Sequence, residues 1–245
     1  MRLWRQHLDA RTLRGGLWAM DGCPWEDKLS LSNGEWDLQW RLNFGGVTDT
    51  IARALDQADG NCFAWRGRVM EQAVADAVKE CLPSGGVRCF MQPHMEVHPI
   101  DHLLRCQQAG EDPNSWRRAD IAVEVVNGHK MTLDVCATNL VSSTALRSSV
   151  LTHMGRVEDT KNVRYRSYYK VFRPFIMALS GGVTEQSYKA LQQVALWASA
   201  AASPRLDWEP FMWTVQMQRR ISVAAARVTA SIVSRTCGAA AAAAG

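Results

Sequence analysis

Two aspartates in the middle of the chain have the residue type and spacing that could hold a divalent cation. Over residues 118–138 (RADIAVEVVNGHKMTLDVCAT), Ile121, Val123 and Val125 alternate with Asp120, Ala122 and Glu124. After Asn127 and Gly128, Met131, Leu133 and Val135 alternate with Thr132, Asp134 and Cys136. Asn-Gly between two alternating runs is a strong hairpin signal, so two antiparallel strands are expected. Alternation then puts Asp120 and Asp134 on the polar faces of adjacent strands, near strand ends, where two carboxylates can converge on Mg²⁺ or Mn²⁺. Mg²⁺ bound by carboxylates keeps several waters and can activate one of them against a phosphodiester. Glu71 upstream and Lys161 downstream complete an order of helix Glu, strand Asp, strand Asp, helix Lys. The bland alternative is a pair of solvent-facing aspartates beside a tight turn. Glu124 shares a face with Asp120 but lies deeper along its strand, outside the metal pair.

The elements that must position these groups follow from periodicity. Val69, Ala73, Val74, Ala77 and Val78 recur at helical spacing and predict a helix over 65–81, ended by Pro83 and Gly85-Gly86. Residues 87–92 read as a strand, and 93–116 as a polar connection with one short helix near 100–106. After the hairpin come a basic segment with a helix from about Arg156, a third apolar strand over 171–179, and a helix capped by Thr184 running to about 202. A last amphipathic helix is expected over 211–235. The expected fold class is α/β, with a mixed sheet flanked by helices. The expected divisions are a helical N-terminal segment (1–62), a core (63–203), a C-terminal helix (204–236) and an alanine-rich tail (237–245) that frays.

These motifs, taken in order, resemble the restriction-like endonuclease domain, of the PD-(D/E)xK nuclease superfamily, found toward the C-terminal end of early-branching non-LTR retrotransposon polyproteins. Arg117-Arg118-Ala119-Asp120-Ile121 is similar to that family's R-P-A-D-hydrophobic strand. Leu133 to Asn139 (LDVCATN) resembles its L-D-V-T-x-T strand, and Glu158, Lys161 and Tyr165 match an E-x-x-K-x-x-x-Y helix motif. Phe172-Arg173-Pro174-Phe175 resembles the next strand, Arg220 to Ala224 (RISVA) the closing helix, and residues 35–46 the segment joining polymerase to nuclease; the likeness spans about 30–235. The resemblance implies a restriction-endonuclease-like sheet and a Mg²⁺- or Mn²⁺-dependent endonuclease that nicks target DNA for retrotransposon integration in the nucleus. Element RNA or an RNA–DNA hybrid is a further implied partner. On this likeness Asp120 and Asp134 hold the metal, Glu71 supplies a third ligand or an outer contact, and Lys161 orients water or steadies the phosphate. Arg118, Arg164, Arg166, Lys170 and Tyr165 engage nucleic acid. Cys136 stands where the superfamily usually has lysine, and Lys161 takes over that role. The family's zinc knuckle is not recognisable, only Cys62 lying in that region, and no Y-x-D-D polymerase motif occurs.

Composition bounds these readings. The chain has 245 residues, 47% apolar and 21% charged, with a net charge of +4. Residues 147–173 alone carry net +5 and interleave Tyr165, Tyr168, Tyr169 and Phe172, a mixture suited to phosphate contact and stacking. The longest other weakly polar run, 194–202, falls well short of the roughly 20 residues of a membrane span. The first residues lack the apolar region of a secretory signal, so an intracellular protein is expected. Seven cysteines without a C-x-x-C pair argue against a disulfide scaffold. Ten tryptophans, six of them within the first 65 residues, read as core or contact residues. His94, His98, His102 and Cys106 recur every four residues, but Pro99 leaves only His102 and Cys106 on one helical face, so a zinc site there competes with plain loop histidines. Two rival functions stand beside the nuclease: a catalytically inactive nucleic-acid-binding remnant, and a structural helical protein.

Overall fold

The computed structural model describes residues 31, 32, 34, 35, 38, 49–56, 60–82, 86–97, 99–110, 118–140, 142, 145–201 and 209–243. Much of the expected N-terminal segment, with Trp4, Trp18, Trp25, Trp36 and Trp40, lies outside them, as does His98. The elements run α1 (Asp49–Asp56), α2 (Gly60–Cys81), β1 (Val87–Met91), α3 (Pro99–Ala109), β2 (Ile121–Val125), β3 (Lys130–Thr138), a 3₁₀ turn (Ala145–Arg147), α4 (Val150–Tyr165), β4 (Phe172–Ala178), α5 (Glu185–Ala201) and α6 (Glu209–Ala243). The four strands form one mixed sheet in the order β1-β2-β3-β4. The first two pairings are antiparallel and β3–β4 is parallel. A parallel pair needs a long crossover, which α4 supplies. Pro174 is tolerated because β4 lies at the end of the sheet order, where one side of the strand makes no ladder.

Gly128 takes a left-handed φ of 85° in the Asn127-Gly128 turn, as the hairpin requires. Alternation along β3 sends Met131, Leu133, Val135 and Ala137 into the main core with Met70, Val74 and Val78 of α2, Phe175 and Met177 of β4, and Leu191 and Val194 of α5. The opposite face of the sheet is not solvated. Cys136, Ile176 and Ala178 pack there with Val150, Met154 and Val157 of α4. Polar residues on β3 are therefore covered: Thr132 and Asp134 are 1% and 2% exposed.

Several expectations need correction. A division at 62/63 falls inside α2, which starts at Gly60. The C-terminal helix is no separate extension, because Met217, Ile221, Ala225, Val228 and Ile232 of α6 share the main core with Leu55 of α1. It also runs on through Ala243, taking in residues 237–243 of the alanine-rich tail; alanine has the best helix propensity. α4 begins at Val150, not near Arg156, because Ser149 caps it by accepting the Thr152 N–H at 3.2 Å. β3 runs on to Thr138, which puts Asp134 at mid-strand rather than near an end.

Gly181 joins β4 to α5 with a φ of 89°, and a Cβ there would stand 3.1 Å from the Ser222 carbonyl oxygen on α6. Gly181→Ala is expected to lower stability by about 1–3 kcal/mol, since backbone strain and a backbone clash act together. The urea midpoint of the variant measures this, and an unchanged midpoint contradicts the packing described.

Candidate functional site

The site grows from the β2–β3 pair. Ile121 faces Leu133 in the antiparallel register, and Asp120, just before β2, donates its N–H to the Leu133 carbonyl at 3.1 Å, beside the residue that precedes Asp134. Asp120 Oδ2 accepts the Val135 N–H at 2.7 Å, which fixes its carboxylate at the strand end. From α4, Lys161 Nζ reaches Asp134 Oδ2 at 2.6 Å, with the lysine side chain 24% exposed. Tyr165 lies one turn further along α4, near enough for the Asp134 charge to act on its hydroxyl. Lys161 and Arg164 flank the Tyr165 ring, 5.8 and 5.2 Å from its centroid. Tyr165 is buried, and its hydroxyl is pushed up to about 12 by burial and by the charge of Asp134. That protonation makes it a hydrogen-bond donor and not a nucleophile at neutral pH.

The electrostatics are those of crowded acids. Asp120 is raised from 3.8 to about 7, first by burial and then by the charges of Asp134 and Glu71. Burial and Asp134 likewise raise Glu71 on α2, with Arg68 and Lys161 opposing. Burial also raises Asp134, against the pull of Lys161. For Lys161, burial alone acts downward, but the Asp134 carboxylate outweighs it and holds the ammonium above its ordinary value. The charge of Asp134 therefore raises both Asp120 and Glu71, and that of Glu71 raises Asp120 further.

Among the described residues, no three His, Cys, Asp or Glu side chains form a ready cage for a metal ion. The donors still suit a hard cation: Asp120 and Asp134 are two oxygen ligands whose mutual repulsion a divalent charge relieves, and Mg²⁺ is commonly bound through one or two carboxylates plus water. Glu71 is close enough for its charge to act on Asp120 and is suited to an outer contact with such an ion's water.

The remaining expected residues divide. Arg118, Arg164 and Arg166 are exposed, and the charge of Arg164 reaches Asp134. Lys170 is not with them. Its backbone N–H donates to Glu96 at 2.7 Å, and Glu96 pairs with Lys130 at 2.6 Å, so Lys170 sits at the hairpin end of the sheet. Glu124 faces Lys130 there as well, away from the acid pair. Glu158, part of the helix motif, accepts the Thr184 hydroxyl and ties α4 to the start of α5. His102 and Cys106 do share a face of α3, with Sγ 3.7 Å from Nε2, but they are buried against Tyr168 and His94 is exposed. A zinc set there lacks further ligands among the described residues.

Cys136, which shares a strand face with Asp134 as the alternation predicts, has its thiol raised by burial and lies within the fields of Lys161, Asp134 and Asp120. Among the described residues no helix is long and apolar enough to cross a membrane. No family model, curated protein or solved structure matches the chain.

Proposed function

We propose that the protein is a metal-dependent DNA endonuclease of the restriction-endonuclease-like kind, acting by phosphodiester hydrolysis. The observation that carries this reading is the Lys161–Asp134 contact at 2.6 Å, made by a helix lysine across from Asp120. A buried acid pair with an ammonium on one of its members is a costly arrangement for a fold to keep. It is well suited to phosphoryl chemistry, because the anionic phosphate brings the charge Lys161 can bind, and a cation can relieve the acids. The element order, a helix before three strands and a crossover helix before the fourth, also fits a restriction-endonuclease-like core.

In this reading Mg²⁺ or Mn²⁺ held by Asp120 and Asp134 supplies Lewis acidity and a lowered water pKa. Lys161 orients the attacking water and holds charge developing on the phosphate oxygens. Tyr165 lies under Lys161 as a cation-facing ring, and Glu71 accepts a hydrogen bond from water at the rim. Arg118, Arg164 and Arg166 bind backbone phosphates of the DNA without reading bases. Supercoiled plasmid incubated with Mg²⁺ or Mn²⁺ should turn into open circles, and EDTA should stop it. Lys161→Met should lower the nicking rate about 10²–10³-fold, the range of losing one preorganised charge at a transition state. Plasmid binding without nicking would instead favour the inactive nucleic-acid-binding remnant.

A further inference from the structure

The hairpin end of the sheet, away from the acid pair, holds a cavity of about 500 Å³. A space of that size is in the range of small-ligand sites, roughly 300–1,000 Å³. His129 and Lys130 reach it from the hairpin, Glu96 and Lys170 from the loops before α3 and before β4, and Trp197 from α5. Part of the wall is aromatic. The His129 ring lies on the Trp197 indole with centroids 4.9 Å apart and planes 12° from parallel. Asn127 Nδ2 donates to the Trp197 carbonyl at 3.4 Å, and the indole packs against the main core, so the stack is fixed to α5. Trp197 covers one face of the imidazole, and the exposure of His129 leaves the other for a further ring.

The rest of the wall is cationic. Lys130 Nζ pairs with Glu96 Oε1 at 2.6 Å, and Glu96 Oε2 accepts the Lys170 backbone N–H at 2.7 Å. Both oxygens of Glu96 are thus engaged, and the bond to Lys170 uses its backbone while its side chain stays exposed. Two lysines less one carboxylate leave the cavity a net charge of +1, which matches one phosphodiester better than a polyphosphate. A flat aromatic face beside a lysine ammonium fits a nucleotide, because every base has a π-face to stack and lysine meets phosphate as a point charge.

We propose that this cavity binds one nucleotide, its base stacked on His129 and its phosphate at Lys170, with Glu96 holding Lys130 and the Lys170 backbone in place. Two sources carry that chemistry: an unpaired nucleic-acid strand and a free nucleoside monophosphate. A base inside a duplex does not qualify, since its neighbours already cover both faces. The inference does not rest on the nuclease reading, because binding here needs neither a metal nor hydrolysis.

The test is calorimetric titration in EDTA with two probes, a short oligothymidylate and thymidine 5′-monophosphate, with melting temperatures confirming that each variant is folded. His129→Leu, which caps Trp197 without offering a ring, should weaken binding about tenfold, the loss of one base stack. His129→Phe should keep the wild-type affinity. A loss confined to the oligothymidylate identifies a strand as the source, and a loss that extends to the monophosphate identifies a free nucleotide. Lys170→Gln should weaken the same probe. For the strand, over a series of KCl concentrations, it should make the slope of log K against log salt shallower by about 0.7, the share of one phosphate. A duplex of the same length should bind His129→Leu as it binds the wild type. Equal binding of both probes by wild type and His129→Leu, binding of neither by the wild type, an equal loss in His129→Phe, unchanged affinity in Lys170→Gln, or an equal loss of duplex binding would overturn the proposal.

Discussion

Asp134→Asn is expected to lower Mg²⁺-dependent plasmid nicking by at least about 10³-fold, while the protein remains folded. The size follows from what the carboxylate does in the proposed mechanism. Asparagine keeps the shape and volume but removes a metal-binding charge and the anion that holds Lys161 at 2.6 Å. Each 1.36 kcal/mol lost from transition-state stabilisation is a factor of about ten, and removing one metal ligand costs several. The stability effect is smaller because two changes oppose each other. Lys161 loses its partner but is partly exposed and can be hydrated, while Asp120 and Glu71 lose a like charge that raises both of them. A melting temperature within about 3 °C of wild type, roughly 1 kcal/mol for a chain of this size, would separate lost chemistry from lost fold.

The second large effect is a dependence of stability on pH that a divalent cation should suppress. Asp120 titrates at about 7 in the fold against 3.8 for an ordinary aspartate. A carboxyl raised by folding contributes stability that is complete below the unfolded value and is lost as pH rises through the folded one. Stability in EDTA should therefore fall between about pH 4 and pH 8, by on the order of 3–4 kcal/mol if Asp120 acts alone. Burial raises Glu71 and Asp134 too, so they push in the same direction. Asp120→Asn should flatten most of this fall and melt higher than wild type at pH 8. Mg²⁺ at about ten times its dissociation constant should return about 1.4 kcal/mol at pH 8 and little at pH 5, where protons compete for the same oxygens. Melting curves across this pH range, with and without Mg²⁺, measure all of it. A flat profile, or one that Asp120→Asn leaves unchanged, would contradict the crowded-acid description.

Local patterns made part of this arrangement legible in the sequence. The Asn127-Gly128 turn fixed the hairpin, and helical spacing of Val74 and Val78 located α2. The alternation that paired Asp120 with Asp134 also suggested a solvated polar face, however, and that face is covered by α4. The pattern could not reveal this because α4 has little amphipathic contrast, and Gly155 with Thr152 obscures its first turns. The parallel β3–β4 pairing, which lengthens β3 and buries Asp134, depends on residues some forty positions apart and leaves no local signature. Lys170 looked like part of one basic cluster because it is near Arg164 and Arg166 in sequence. The turn after α4 carries it to Glu96 at the other end of the sheet.

The most direct test of the central claim is single-turnover nicking of supercoiled plasmid by wild type and Asp134→Asn under one Mg²⁺ concentration. The proposed chemistry predicts open circles from the wild type that EDTA abolishes, and only background from the variant. Equal nicking by both proteins, or none from a wild type that binds the plasmid in Mg²⁺ and in Mn²⁺, would contradict it.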